Sequence, residues 1–320
     1  MTGSPLIRLL TGLGLVAFAA LAQAQATASP PVTVRGDRIQ KVVNGVLGLM
    51  GYSVVPDLTA STLSIDSAGD AEHPRITMSQ LAGGFTLGKA TPVYLEGGAA
   101  YSRYDPSFIL SNGQEQRAVP VKWVSGALTG GVGWDFPVAE DLVLRPIFNF
   151  SLGRVTSDLR VASLAIASVR GTETDFLDNG HLDSYGYGGS LMLDYERVRP
   201  DQEIDVELRY TAMRLKSFGS SSEAVKGSAD AIAASLYTRY RAPTGMTALD
   251  RPVRYVLEYA YTKYLGDQPS LGFSNLHSVG AGLELDSSAH DIFITRTRLV
   301  GRYRFGNNVS GFALSLAASF

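Results

Sequence analysis

The apolar pattern of the chain changes period twice. Leu9 to Leu21 forms one largely apolar run. Between Ile39 and Met50 the apolar residues Ile39, Val42, Val43, Val46, Leu47 and Met50 recur every three or four positions, the spacing of one helical face. From Leu58 to the end the period becomes two, the signature of strands with two unlike faces. The clearest instance closes the chain: Phe312, Leu314, Leu316, Ala318 and Phe320 alternate with Gly311, Ala313, Ser315, Ala317 and Ser319. An apolar strand with a free edge would pair with other chains in water, whereas closure into a barrel removes the edge.

About twelve strands are expected. They fall near 57–65, 75–87, 92–104, 121–136, 141–154, 184–196, 202–215, 230–241, 252–264, 275–285, 292–305 and 309–320. Most reach the roughly 9–11 residues that a tilted strand needs to cross a bilayer. In 202–215, Ile204, Val206, Leu208 and Tyr210 alternate with Asp205, Glu207, Arg209 and Thr211. In 292–305, Phe293, Leu299, Tyr303 and Phe305 alternate with Arg296, Arg298, Arg302 and Arg304. A soluble sandwich and a membrane barrel both fit such strands, with their faces reversed.

The connections separate the two. Gly88–Thr91, Pro137–Glu140, Arg197–Asp201 and Ser287–Asp291 are short; Asp105–Pro120, Val155–Asp183, Lys216–Ala229 and Leu265–Ser274 are long. Short and long connections alternate, as do the periplasmic turns and outer loops of outer-membrane barrels. Arg241–Arg251 is long for its side and Phe305–Val309 is tight for its side. Aromatic residues gather near strand ends, including Tyr101, Tyr104, Trp123, Trp134, Phe136, Tyr185, Tyr187, Tyr261, Tyr264, Tyr303 and Phe305, where interface girdles would lie.

The fold class expected is therefore all-β: a closed antiparallel transmembrane barrel over 57–320, preceded by a short helix. Residues 1–24 carry the order of an export signal, a basic start, an apolar run and Ala22-Gln23-Ala24 as cleavage site. Residues 25–56 then hold a polar linker and the helix, with Asp37 as N-cap and Gly51 as stop. The candidate plug residues are Ile39, Val42, Val43, Val46 and Met50. The helix either packs on the barrel mouth or threads the lumen; Gly45 and Gly48 would let it approach a wall closely.

Composition changes little in this picture. The 320-residue chain has a formal charge of -2 and no Cys. The first speaks against nucleic acid, and the second excludes disulfides and thiolate metal sites. The absence of later runs of ~18 apolar residues leaves no helical span.

With the Arg38–Met50 stretch, about twelve strands and Phe320 on the page, residues 37–320 resemble the solitary outer-membrane autotransporter-type β-barrel domains. That resemblance implies a twelve-stranded barrel with a helix in its pore, and it carries over no catalytic residues. It departs from the family in the passenger, since only about twelve residues separate Ala24 from the helix. It implies as partners outer-membrane lipid and lipopolysaccharide, and the barrel-assembly machinery engaged through the last strand and Phe320. The residues do not define an oligomer.

Catalytic chemistry has few candidates. His73, His181, His277 and His290 lack ligand spacing, and no cofactor or metal site is expected. His277-Ser278 would face opposite sides of a strand, which defeats a dyad. Asp178-Asn179-Gly180, with Asp175 and Asp183 nearby, reads as a turn rather than a calcium loop. Gly130-Gly131-Val132-Gly133 has no following helix and so is no phosphate loop; in a barrel such glycines bend strands or admit a helix. The candidate functional residues are those expected to line the lumen: Arg145, Arg209, Arg254, Arg296, Arg298, Arg302, Arg304, Glu96, Glu207 and Glu258, with Arg239, Asp194, Glu196, Asp205 and Glu284 beside them. They would form either a filling network of ion pairs or a polar pore in which the Arg cluster favours anions. The functions these allow are a non-enzymatic translocator-like barrel, a diffusion channel for small solutes, or, weakest, a lipid-modifying enzyme.

Overall fold

The computed structural model describes residues 58–65, 75–105, 107–111, 116–120, 122–158, 181–220, 228–267, 272–289 and 294–319. The signal segment, the Arg38–Met50 helix, Phe320, His73, His290 and the Asp178-Asn179-Gly180 turn lie outside them.

In chain order the strands are β1 (Leu58–Ile65), β2 (Arg75–Gly88), β3 (Thr91–Asp105), β4 (Ser107–Ser111), β5 (Gln116–Pro120), β6 (Lys122–Trp134), β7 (Phe136–Ala139) and β8 (Leu142–Asp158). They continue as β9 (His181–Val198), β10 (Glu203–Ser220), β11 (Ser228–Ala248), β12 (Arg251–Tyr264), β13 (Asn275–Asp286), β14 (Arg296–Gly306) and β15 (Val309–Ser319). β7 continues β6 beyond Asp135 along the same partner, β8. Twelve walls therefore form one antiparallel meander. β1 pairs β15 from Leu58↔Leu316 to Ile65↔Val309, so the sheet has no edge. An isolated open sheet would leave a row of backbone donors and acceptors unmet in hydrocarbon; closure meets them all.

The alternation sorts the two faces as expected for lipid. Phe312 is 71% exposed, Leu128 61% and Leu208 52%, while their strand neighbours Ala313, Ala127 and Glu207 turn inward. An even-stranded, closed barrel with an apolar exterior and a polar interior is the architecture of the outer membrane. The chain is an outer-membrane-type β-barrel.

Several connections differ from the sequence reading. β11 runs on to Ala248, with a bulge between Pro243 and Thr247, and turns through Leu249 and Asp250. Both carry positive φ (52° and 59°), the two-residue turn whose twist matches a hairpin. The apparent long turn after Arg241 is thus strand. The tight outer turn at Asn307-Asn308 has Asn308 at φ 61°, and Asn307 Oδ1 accepts the backbone N–H of Ser274 (3.0 Å) and Asn275 (3.1 Å). That turn is short because it is tied to the neighbouring loop. The connection after β13 is longer than expected: β14 begins at Arg296 rather than 292, and the Ser287 N–H donates to the Thr295 carbonyl at 2.7 Å. The long connection after β3 contains its own hairpin, β4 paired with β5.

Candidate functional site

The site is the lumen. Because side chains alternate, one phase of each strand supplies it. Toward the short-turn end the inward phase is charged, and the charges meet across several strands.

Glu203, first residue of β10, is 0% exposed and is the hub of the largest cluster. Arg296 on β14 grips it with two bonds, at 2.6 and 3.0 Å. Arg241 reaches it at 2.8 Å, and Arg254 is also bonded to it. Arg239 donates to Asp205 at 2.6 Å. Glu284, also 0% exposed, takes Arg298 at 3.2 Å and Arg241 at 3.4 Å. Glu258 takes Arg302 at 2.6 Å and the Tyr237 hydroxyl at 2.8 Å. This is a continuous ladder from β10 to β14. Removing one partner from such a buried set leaves a bare charge, a cost of about 3–5 kcal/mol.

A second cluster occupies the facing wall. Arg209 on β10 donates to both oxygens of Glu96 on β3, at 2.7 and 2.8 Å. Asn149 donates to Glu96 at 2.6 Å, and the Ser190 hydroxyl donates to Asn149 Oδ1 at 2.6 Å. Arg145 pairs with Asp194 at 3.0 Å and with Asp135, and lies 4.0 Å over the Tyr94 ring. Gly131 makes this possible: a Cβ there would meet Asn149 Nδ2 at 2.6 Å and Glu96 Cγ at 2.8 Å. The expected role of this glycine run in bending strands or admitting a helix is, at Gly131, a role in seating Glu96.

Two of these pairs cross the lumen. β3 and β10 are separated by β6, β8 and β9, and β10 and β14 by β11, β12 and β13. Glu96–Arg209 and Glu203–Arg296 therefore form two bars from β10 across the interior. Beside the first bar lies a cavity of about 370 Å³ bordered by Tyr94, Arg145, Asp194, Glu196, Glu207 and small residues such as Ala82, Gly84 and Thr129. Among the described residues neither the Glu196 nor the Glu207 carboxyl group makes a hydrogen bond or salt bridge, although both residues border this space.

Of the residues expected in the lumen, Arg145, Arg209, Arg254, Arg296, Arg298, Arg302, Glu96 and Glu258 thus join one cluster or the other, while Glu207 borders the cavity without a partner and Arg304 lies buried at 9% exposure. The sequence reading missed Glu203, Arg241, Asp135 and Asp286. Phase alone would have found them: Glu203 continues Asp205 and Glu207, and Arg241 continues Arg239. The reading also missed that the interior is ionic only in part. Toward the long loops the inward phase becomes apolar, with Leu63, Ile76, Trp123, Val155 and Leu182 at 0–1% exposure. Trp123 and Tyr104, expected in the interface girdle, point inward and meet edge to face at 5.8 Å.

His277 faces outward and Ser278 inward, on a strand whose register is unbroken on both sides. His277 Nδ1 lies 3.0 Å from the Tyr259 hydroxyl, and the ring stacks on Phe305 at 5.1 Å. The pair cannot act together.

No protein-family model matches the chain, and no curated protein matches it in sequence. Among solved structures the fold is similar to the translocator domain of the autotransporter NalP from Neisseria meningitidis, at 11% identity over 89% of this chain and 94% of that one, TM-score 0.46. It is similar to the β domain of the Bordetella autotransporter BrkA, at 14% identity over 82% and 99%, TM-score 0.44. It is also similar to the KdgM porin, at 10% identity over 82% and 99%, TM-score 0.37.

Proposed function

We propose that the protein is a non-enzymatic, translocator-like outer-membrane barrel whose lumen is closed at rest by its own ion pairs. The observation that carries this reading is the pair of bars Glu96–Arg209 and Glu203–Arg296, each joining strands with three others between them. A threaded helix would have to displace those bars. The reading therefore places Arg38–Met50 at the short-turn mouth, below them, as a second barrier. Residues 1–24 act as a cleaved export signal, and the last strand with Phe320 is the handle for barrel assembly.

The test is conductance of the refolded full chain in a planar bilayer. A closed lumen gives no steady current. Deleting residues 37–51 raises the current only when Glu96→Gln loosens the first bar as well. A large steady current from the intact chain contradicts the closed lumen. A current from the helix deletion alone would make the helix the main plug.

A second reading, a diffusion channel, is favoured by the cavity beside the first bar. We infer that such a channel would pass cations rather than anions. Arg145, Arg209, Arg254, Arg296, Arg298 and Arg302 are all in contact with carboxylates, and the carboxyl groups on the cavity wall that no guanidinium contacts are those of Glu196 and Glu207.

A further inference from the structure

The exterior is not uniform. An open groove of about 570 Å³ runs over β2, β3, β6 and β8 near the long-loop end. Its shape follows from the registers. One row across the sheet reads Ser79, Tyr101, Gly126, Arg154, and the next row toward the barrel middle reads Leu81, Ala99, Leu128, Leu152. Large side chains thus surround small ones. Gly126 is the low point, with nothing within 4 Å of where a Cβ would stand. Tyr101, Leu128, Leu152 and Phe218 form the walls, all exposed and apolar.

The loop-side end of the groove is cationic. Arg154 borders it and stays 63% exposed although it is paired with Asp183. Arg103 lies one row further out, 46% exposed and 3.0 Å from Asp105. Lys122 and Arg75, at the ends of β6 and β2, are exposed and have no ion pair among the described residues. Among the described residues, the other outward cations near this height are Arg214 and Lys216 on β10 and Lys263 on β12; on β12 to β14 the outward Tyr261, His277, Tyr303 and Phe305 pack ring against ring.

We propose that this groove holds one phosphorylated glycolipid of the outer leaflet. An acyl chain lies over Gly126, and a phosphate sits among Lys122, Arg103 and Arg154. An apolar slot that ends in cations at headgroup height matches a molecule with tail and phosphate in that order. At this end of the groove the cations Arg75, Arg103, Lys122 and Arg154 outnumber the acids Asp105, Asp158 and Asp183 by one, which supplies the charge complementarity, and guanidinium forks suit phosphate oxygens. The assignment rests on the outer-membrane reading, because only then do the long loops face a glycolipid leaflet.

The experiment uses the refolded full chain in detergent, titrated with labelled bisphosphorylated lipid A. Parallel titrations use dephosphorylated lipid A, phosphatidylglycerol and inorganic phosphate. Bisphosphorylated lipid A binds tightest, losing about tenfold or more in affinity in R103Q/K122Q and again in Gly126→Phe. Equal binding of phosphatidylglycerol would make the site a general anionic-lipid surface and overturn the assignment. Equal binding of inorganic phosphate, or unchanged binding in variants that keep the folded barrel's gel mobility, would also overturn it. Sedimentation of the expressed chain with the dense outer-membrane fraction tests the location separately, so failure of one is not read as failure of the other.

Discussion

The two sides of the lumen are built from the same residue types and behave differently. On the β10–β14 side every carboxylate in the ladder meets at least one guanidinium, and Glu203 and Glu284 are fully buried. On the side of β2, β3, β6, β8 and β9 small residues leave a cavity, and the carboxyl groups of Glu196 on β9 and Glu207 on β10 stand beside it without a hydrogen bond or salt bridge. The first side is a brace. The second is where solute, or a moving segment, can be accommodated. Residue spacing explains the difference: Arg296, Arg298 and Arg302 on β14 reach acids on β10, β12 and β13, whereas the inward phase of β3 offers Glu96 as its one acid.

The largest effect is expected where the brace is densest. Glu203→Ala removes the carboxylate shared by Arg241, Arg254 and Arg296. It leaves Arg254 only a longer contact to Asp286 at 3.4 Å, and Arg296 only contacts at 3.9 Å to Glu284 and Asp286. It should cost about 3–5 kcal/mol in urea unfolding of the refolded barrel. A change as small as a surface substitution would show that the ladder is decoration. Next comes Gly131→Val on the cavity side. Its side chain would drive Glu96 and Asn149 from their seats, costing about 1–3 kcal/mol and raising the conductance of the 37–51 deletion. If that conductance does not move, the Glu96–Arg209 bar is not a barrier.

Smaller still is Glu207→Gln. It breaks no ion pair, so stability should shift by no more than about 0.5 kcal/mol. In the conducting background, the 37–51 deletion with Glu96→Gln, its reversal potential in a salt gradient should nonetheless move away from cation preference. A shift toward stronger cation preference would remove the carboxylate from the pathway. The least effect on transport belongs to His277→Ala, outside the lumen: no change in current, although lost ring packing should cost about 1 kcal/mol of stability.

The barrel was legible because its rule is local. Period two, strand length and the alternation of short and long connections depend on neighbours in sequence, and every wall of the barrel matches a predicted segment. Boundaries failed where chemistry overrode composition. Pro243 and Gly245 look like a loop, yet a bulge absorbs them into β11. The lumen was legible in phase but not in partnership. Alternation puts Glu96 and Arg209 inside; nothing in the spacing of residues so far apart says that Glu96 meets Arg209. The apolar outer lumen was hidden because the two phases exchange character along β10: near the short turns Asp205 and Glu207 face inward beside outward Val206 and Leu208, whereas toward the long loops Met213 and Leu215 face inward beside outward Arg214 and Lys216. The period of two continues there with its polarity reversed, and a lumen assumed to be charged throughout hides the swap.

Everything above depends on which face of the sheet meets lipid. The chain has no Cys, so single cysteines can carry a spin label without competition. Labels at Leu128, Leu208 and Leu314 should be relaxed by oxygen, which concentrates in hydrocarbon, and labels at Ala127, Glu207 and Ala313 should be shielded from it. Oxygen access that rises and falls with a period of two along β10 and β15, in that phase, is the predicted result; equal access in both phases, or the opposite phase, would contradict the membrane barrel.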